Sequence, residues 1–174
     1  MQGAMPVTTT ADEATRDAFG DLLQRHRGIV FKVANSYCRN PADRADLAQE
    51  IAAQLWRAWP TYDPARSVTT WMYRIALNVG ISHARGDGRR RWRAVPLDET
   101  THDLADANAT DHEAEQHIRL LQQFIARQAP LDRALLLLYL DERPQREIAE
   151  VLGISETNVS TKIGRLKQRI RDEL

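Results

Sequence analysis

The stretch PQREIAEVLGISETNVSTKIGRLKQRIR, Pro144 to Arg171, decides the fold of the C-terminal part of this chain. Val159, Ile163, Leu166 and Ile170 recur at helical spacing, so one narrow apolar stripe packs inward while the other faces stay free. Ile148, Ala149 and Leu152 form a matching stripe on a preceding helix. Gly153 ends that helix, because glycine reaches the left-handed conformation a helix C-terminus commonly needs. Ile154 plugs the turn and Ser155 is placed to cap the second helix. The pattern is a helix-turn-helix whose second helix turns Thr157, Asn158, Thr161, Lys162 and Arg165 outward as a polar, cationic recognition face. The competing reading is an ordinary helical hairpin with a solvated charged face.

The segment just before this motif supports it. Leu131 to Leu140, with four consecutive leucines, is an almost wholly apolar segment of ten residues bounded by Pro130 and Asp141. That is long enough for a buried helix and too short to span a bilayer. Ile118, Leu121 and Ile125 mark another helix from Glu113 to Arg127. Residues 94–112 are polar, acidic and without periodicity, which predicts a linker between a domain at 12–93 and one at 113–174. His102, His112 and His117 are scattered without a tight ligand pair, so no metal site is expected.

In the first half, Phe19, Leu22, Leu23, Ile29, Val30, Val33 and Ala34 predict two helices between Asp12 and Arg39, or one bent at Gly28, ending at Asn40-Pro41. Residues before about Ala11 read as an unstructured leader. Leu47, Ile51, Leu55 and Trp59 lie four apart on a helix from Asp43 to Trp59, leaving Asp46, Gln49 and Glu50 off the stripe for a partner. Pro60 and Pro64 enclose a loop. Ser67 caps a helix carrying Val68, Trp71, Met72, Ile75 and Val79 to about Arg85, and Gly86 and Gly88 argue against its continuing into the arginines that follow. Aromatic side chains gather here beside Arg66, Arg74 and the arginine cluster, the combination that holds unstacked bases. Trp59 and Trp71, on apolar stripes, read as core; Tyr62 and Tyr73 are less committed.

Composition sets the outer bounds. The chain of 174 residues is 43% hydrophobic and 28% charged, which is globular, and its formal net charge is zero. The charge is segregated. Residues 85–93 hold five arginines against Asp87, residues 94–118 hold seven acids and no lysine or arginine, and the last helix is basic again. Two cationic surfaces joined by an acidic connector suit a nucleic-acid partner. The single cysteine, Cys38, excludes a disulfide framework and reads as a small core residue. No secretory signal or membrane-length apolar run is present, which predicts a cytoplasmic protein with no membrane insertion of its own.

Two blocks together resemble one family, the small two-domain bacterial sigma factors of the extracytoplasmic-function type. The first is DLAQEIAAQLWRAW from Asp46, followed by TWMYRIALN from Thr70 to Asn78 and the basic GRRR; the second is EIAEVLGISETNVSTKIGRLKQRIR. The resemblance implies an all-α fold and a transcription initiation factor that brings core RNA polymerase to promoter DNA, held in check by an anti-sigma factor and using no cofactor. It also implies site residues. Asp46, Gln49 and Glu50 match the family's polymerase-docking face. Tyr62, Arg66, Tyr73, Arg74 and Asn78, with Arg85, Arg89, Arg90 and Arg91, match the part that captures the opened downstream, minus-ten element. Ser160, Thr161, Lys162, Gly164 and Arg165 match the reader of the upstream, minus-thirty-five element, and the outward Thr157 and Asn158, with Arg146 on the preceding helix, are expected to contact the same element.

This chain also departs from the family's pattern. Arg146 stands where an acidic residue is common, Leu138 where a basic one is common, and Gly164 where a larger side chain is usual. The loop TYDPARSVT lacks the glycine-containing pattern of relatives. Against the sigma-factor reading stand a helix-turn-helix regulator that needs no polymerase, and an enzyme. The regulator leaves the aromatic and arginine-rich first half without a purpose. The enzyme has only Asp63, His83 and Cys38 to work with, and no motif brings them together.

Overall fold

The computed structural model describes residues 8–90 and 112–173, and among them it contains eight α-helices and no strand. In chain order these are α1 (Thr8–Arg25), α2 (Arg27–Tyr37), α3 (Pro41–Ala58), α4 (Val68–Arg90), α5 (His112–Arg127), α6 (Pro130–Leu140), α7 (Gln145–Leu152) and α8 (Glu156–Glu173). A 3-10 turn, Trp59–Thr61, follows α3. The linker assigned to 94–112 lies outside the described residues except for His112, which opens α5.

Three boundaries differ from the sequence expectation. Helix α1 begins at Thr8, ahead of Ala11. The break between α1 and α2 falls at His26 rather than Gly28. Helix α4 runs through Gly86 and Gly88 to Arg90. A glycine in a helix interior costs about 1 kcal/mol, which a helix already 18 residues long at Arg85 can absorb.

Helices α2, α3 and α4 pack on one another around Val33, Leu47, Ile51, Leu55, Met72, Ala76 and Leu77, all 2% exposed or less. Asn40 caps α3, its side chain accepting from the Ala42 amide at 2.8 Å, and Pro41 occupies the first helical turn, where no amide donor is needed. Helices α2 and α4 approach so closely at Gly80 that an added Cβ would lie 2.7 Å from the Tyr37 ring and 3.2 Å from Val33. Phe19 of α1, Trp59, Tyr62 and Trp71 form an aromatic cluster under the loop after α3. Tyr62 stacks on Trp59 at 5.4 Å between centroids and lies 4.8 Å from Trp71.

In the second half, Leu135, Leu136 and Leu138 of α6 are buried with Phe124, Ile148, Val159, Ile163 and Leu166. Each such side chain contributes roughly 1.5–3 kcal/mol through the area it withdraws from water. Leu138 is fully buried, so its apolar character is a packing requirement. Gly153 has φ of 67°, and its amide donates to the Ala149 carbonyl at 2.9 Å. The Ser155 hydroxyl accepts from the Asn158 amide at 3.1 Å, capping α8. The helix-turn-helix forms as its sequence dictates.

The two halves also touch each other: α4 lies against α6 and α7, and α2 against α6.

Candidate nucleic-acid interface

Burial of the α8 stripe leaves Thr157, Asn158, Ser160, Thr161 and Arg165 exposed along one helix, with Arg146 exposed on α7 before it. Lys162 is only half-exposed, since its ammonium donates to Asp132 of α6 at 2.9 Å. Beyond the turn toward the C-terminus, cations of α8 serve the fold: Lys167 lies over the Tyr139 ring at 4.8 Å, and Arg169 donates to the Gln128 side chain at 2.9 Å. The polar face available to a duplex is therefore the N-terminal two turns and Arg165, the end that a recognition helix turns toward base edges.

Asp46, Gln49 and Glu50 are all exposed on α3, and Glu50 accepts from the Gln54 amide at 2.8 Å. Asp46 and Glu50 border an open groove of about 530 Å³ between α3 and α4, whose lining also includes Asn78, Ser82 and His83. Asn78 thus shares a groove with the acidic face and stands apart from Tyr62 and Arg66, which sit in the loop before α4. Sequence alone keeps these sets separate, since periodicity does not show which helix faces meet.

The remaining downstream set divides by environment. Arg66, Arg74 and Arg85 are exposed, and Arg66 lies 3.9 Å from Asp63. Tyr62 is half-buried by its stacking on Trp59, and its hydroxyl donates to the Arg66 carbonyl at 3.3 Å. Tyr73 is 1% exposed: instead of offering a face to a base, it points into the contact between the halves and donates to Asp141 at 2.9 Å. Arg89 and Arg90 lie on the α4 backbone with side chains outside the described residues, as is all of Arg91.

The polar cluster around Tyr73 is one that sequence reasoning misses. Asp141 accepts from Lys32, Tyr73 and Arg143, the last at 3.1 Å, while Thr70 donates to Glu147 at 2.8 Å and Arg143 donates to Thr69 at 3.3 Å. Burial alone would raise the Asp141 carboxyl, but hydrogen bonds from Lys32, Tyr73 and Arg143 outweigh it and hold the group below its ordinary range. Burial and the bond to Asp141 push the Tyr73 phenol up. A second patch joins α2 to α6: the Tyr37 hydroxyl donates to the Pro130 carbonyl at 2.7 Å, and Arg133 donates to the Ser36 carbonyl at 3.0 Å. The fold also brings together two residues that no sequence motif connects, placing Cys38 Sγ 3.4 Å from His83 Nε2. Asp63 remains away from them, capping its own turn through the Ala65 amide. Among the described residues no group of three or more metal-ligating side chains converges, and no helix is long and apolar enough to cross a membrane.

Among the described residues, an amphipathic helical unit is followed by a helix-turn-helix, an architecture that suits a DNA-binding protein. The match to known proteins gives the group. Residues 22–90 match the model of sigma-70 region 2 and residues 118–170 that of sigma-70 region 4. The extracytoplasmic-function sigma factor SigE of Mycolicibacterium smegmatis is 28% identical over 179 residues, covering 99% of this chain and 67% of that protein. The sigma factor CnrH of Cupriavidus metallidurans is 27% identical over 168 residues, covering 92% and 88%. The solved structure of CnrH in complex with the cytosolic domain of CnrY has a TM-score of 0.62 at 23% identity, covering 93% of this chain and 92% of that one. RpoE of Bartonella quintana, in complex with the anti-sigma factor NepR, has a TM-score of 0.71 at 15% identity, covering 89% and 95%. The chain belongs to the sigma-70 family, in its extracytoplasmic-function branch. It is an RNA polymerase sigma factor, a subunit that directs transcription initiation to particular promoters.

Proposed function

We propose that residues 12–93 and 113–174 work as two modules of this sigma factor. The first docks on core RNA polymerase and holds the opened downstream element; the second reads the upstream element as duplex. Asp46, Gln49 and Glu50 form the docking face, because three exposed polar and acidic side chains on one helix suit a basic partner surface. Arg66, Arg74, Asn78 and Arg85 contact the downstream strand, with Tyr62 fixing the loop and Arg89, Arg90 and Arg91 neutralising phosphate. Tyr73 joins them only when the halves are apart. Arg146, Thr157, Asn158, Ser160, Thr161, Lys162 and Arg165 face the upstream element. The protein has no catalytic chemistry of its own, acts in the cytoplasm, and is restrained by an anti-sigma factor, a partner of the kind that RpoE of Bartonella quintana binds in NepR.

The observation that carries this reading is α8: its apolar stripe is buried while its N-terminal polar face and Arg165 are exposed. The test is reconstitution with core polymerase on a promoter containing both elements. Glu50→Lys is expected to weaken core binding by roughly 1–2 kcal/mol, about tenfold, and to leave the upstream-duplex affinity of the free chain unchanged. Normal core binding by this variant would show that the docking face is elsewhere.

A further inference from the structure

Gly164 stands within the face that α8 turns outward, and no packing inside the chain calls for a glycine there. It lies three residues past Thr161 and seven past Thr157, and at about 100° per residue all three share that face. An added Cβ at Gly80 would strike the Tyr37 ring, whereas one at Gly164 would meet nothing within 4 Å. Glycine is a poorer helix former than any residue but proline, so alanine would suit the fold better at this position. Gly20, Gly28 and Gly86 are as open, but they lie outside the helix-turn-helix.

What the glycine removes is both bulk and polarity. A helix with its side chains has a radius of about 5–6 Å, against about 2.3 Å for its Cα atoms, so a missing side chain leaves a notch about 3 Å deep. The amide and carbonyl of Gly164 lie well inside the hydrogen-bonded ladder of α8, and the floor of the notch therefore offers neither a donor nor an acceptor. Its walls are exposed and polar: Ser160 and Thr161 one turn before, and Arg165 beside it. Nearby long side chains are drawn elsewhere. Lys162 donates to Asp132 at 2.9 Å, and Gln168, one turn on, donates to Asp172 at 2.8 Å.

We propose that, with α8 reading the upstream element as set out above, this notch is its thymine-selecting position: the 5-methyl group of one thymine seats on Gly164. In the major groove only thymine places an apolar group at the base edge. Adenine and cytosine present an amino donor there and guanine two acceptors, and each would give up water against a floor that has no partner for it. The thymine O4 beside the methyl is an acceptor, and the walls carry the hydroxyls of Ser160 and Thr161 and the guanidinium of Arg165 as donors. A larger side chain at this position would fill the space of the methyl and hold the helix off the groove floor, so base choice and depth of insertion are set by the same residue.

The test uses the full chain bound to core polymerase and a promoter duplex selected by the wild-type protein from a library randomised in the upstream element. Each thymine of that element is replaced in turn by deoxyuridine, which removes the methyl and leaves the hydrogen-bonding edge intact. For wild type, one replacement is expected to weaken binding about fourfold, the worth of one buried methyl. Gly164→Ala is expected to bind the thymine duplex at least about fourfold more weakly than wild type does and to be indifferent to the same replacement. Comparing the two proteins on one pair of duplexes cancels any effect of deoxyuridine on the DNA itself. The free variant should melt roughly 2–4 °C higher than wild type, which separates lost binding from lost structure. A selected element in which no deoxyuridine costs wild type anything, or one whose cost is the same in both proteins, would overturn the notch. So would a variant that melts lower, since the glycine would then serve the fold. Failure of a different kind is also visible: if Arg165→Ala selects the same element as strongly as wild type, the assignment of α8 to the upstream element falls, and the notch with it.

Discussion

Gly80→Ala tests how the first module is built and how it is tied to the second. The new methyl would sit 2.7 and 2.9 Å from two carbons of the Tyr37 ring and 3.2 Å from Val33, all closer than van der Waals contact. Overpacking of this kind costs typically about 1–3 kcal/mol. The ring cannot swing aside freely, because its hydroxyl is bonded to the Pro130 carbonyl at 2.7 Å, and losing that bond adds about 1 kcal/mol. Alanine's better helix propensity returns up to about 1 kcal/mol. The balance is a destabilisation of about 2 kcal/mol, or a melting temperature lower by roughly 4–8 °C for a chain of this size. Gly20→Ala is the control: its Cβ meets nothing within 4 Å, so about 0.5–1 kcal/mol of stabilisation is expected. Urea titration followed by circular dichroism reads both. In a Tyr37→Phe background the ring is released from Pro130, and the Gly80→Ala cost should shrink, a coupling that a double-mutant cycle isolates. If Gly80→Ala stabilises the chain as much as Gly20→Ala, the close approach of α2 and α4 is not as described.

Other outcomes follow from the same geometry. Arg165→Ala should cost roughly 1–3 kcal/mol on the preferred upstream element and much less on scrambled duplex in fluorescence-anisotropy titrations; equal losses would mean that α8 only grips the backbone. Replacing Arg89, Arg90 and Arg91 together should weaken binding to all sequences alike and flatten the salt dependence by about one unit of slope for each phosphate no longer neutralised, measured over a salt series. Ser155→Ala removes the acceptor for the Asn158 amide and should lower stability by about 1 kcal/mol in urea, with Ser155→Asp retaining it. The Asp141 carboxyl is depressed in the folded chain, so its contribution is present above its unfolded pKa and is lost as pH falls through the lower folded value. Stability measured from neutral to strongly acid pH should fall less steeply in Asp141→Asn than in wild type over that window.

Legibility in the sequence follows the range of the interactions. The helix-turn-helix can be read residue by residue, because Gly153, Ser155 and the stripe from Val159 to Leu166 act within a few residues of one another. The four-leucine helix and the packing of the partly buried Trp59 and Trp71 against the core are legible for the same reason. What cannot be read are pairings across the chain. Lys32 and Asp141 are 109 residues apart, and nothing in the periodicity of either helix announces the other. In the sequence Asp141 is only a helix boundary and Tyr73 an aromatic assigned to the downstream element; the fold is what joins them. Cys38 and His83, on separate helices, meet for the same reason. The extension of α4 past Gly86 and Gly88 escapes a sequence reading because propensity is local, while the cost of a glycine is set against the whole helix.

That extension makes α4 a measuring rod. Its 23 residues span about 34 Å at 1.5 Å each, close to one full turn of B-form DNA. In the reading proposed above, Asn78 in the middle of the helix and Arg85 toward its far end are held in fixed phase by a single hydrogen-bonded ladder, so a strand that meets both must match their spacing. Deleting one residue between Asn78 and Arg85 would turn everything beyond it by about 100° and shorten the reach by about 1.5 Å. Every arginine would remain, yet the charges would leave the helix on a different side.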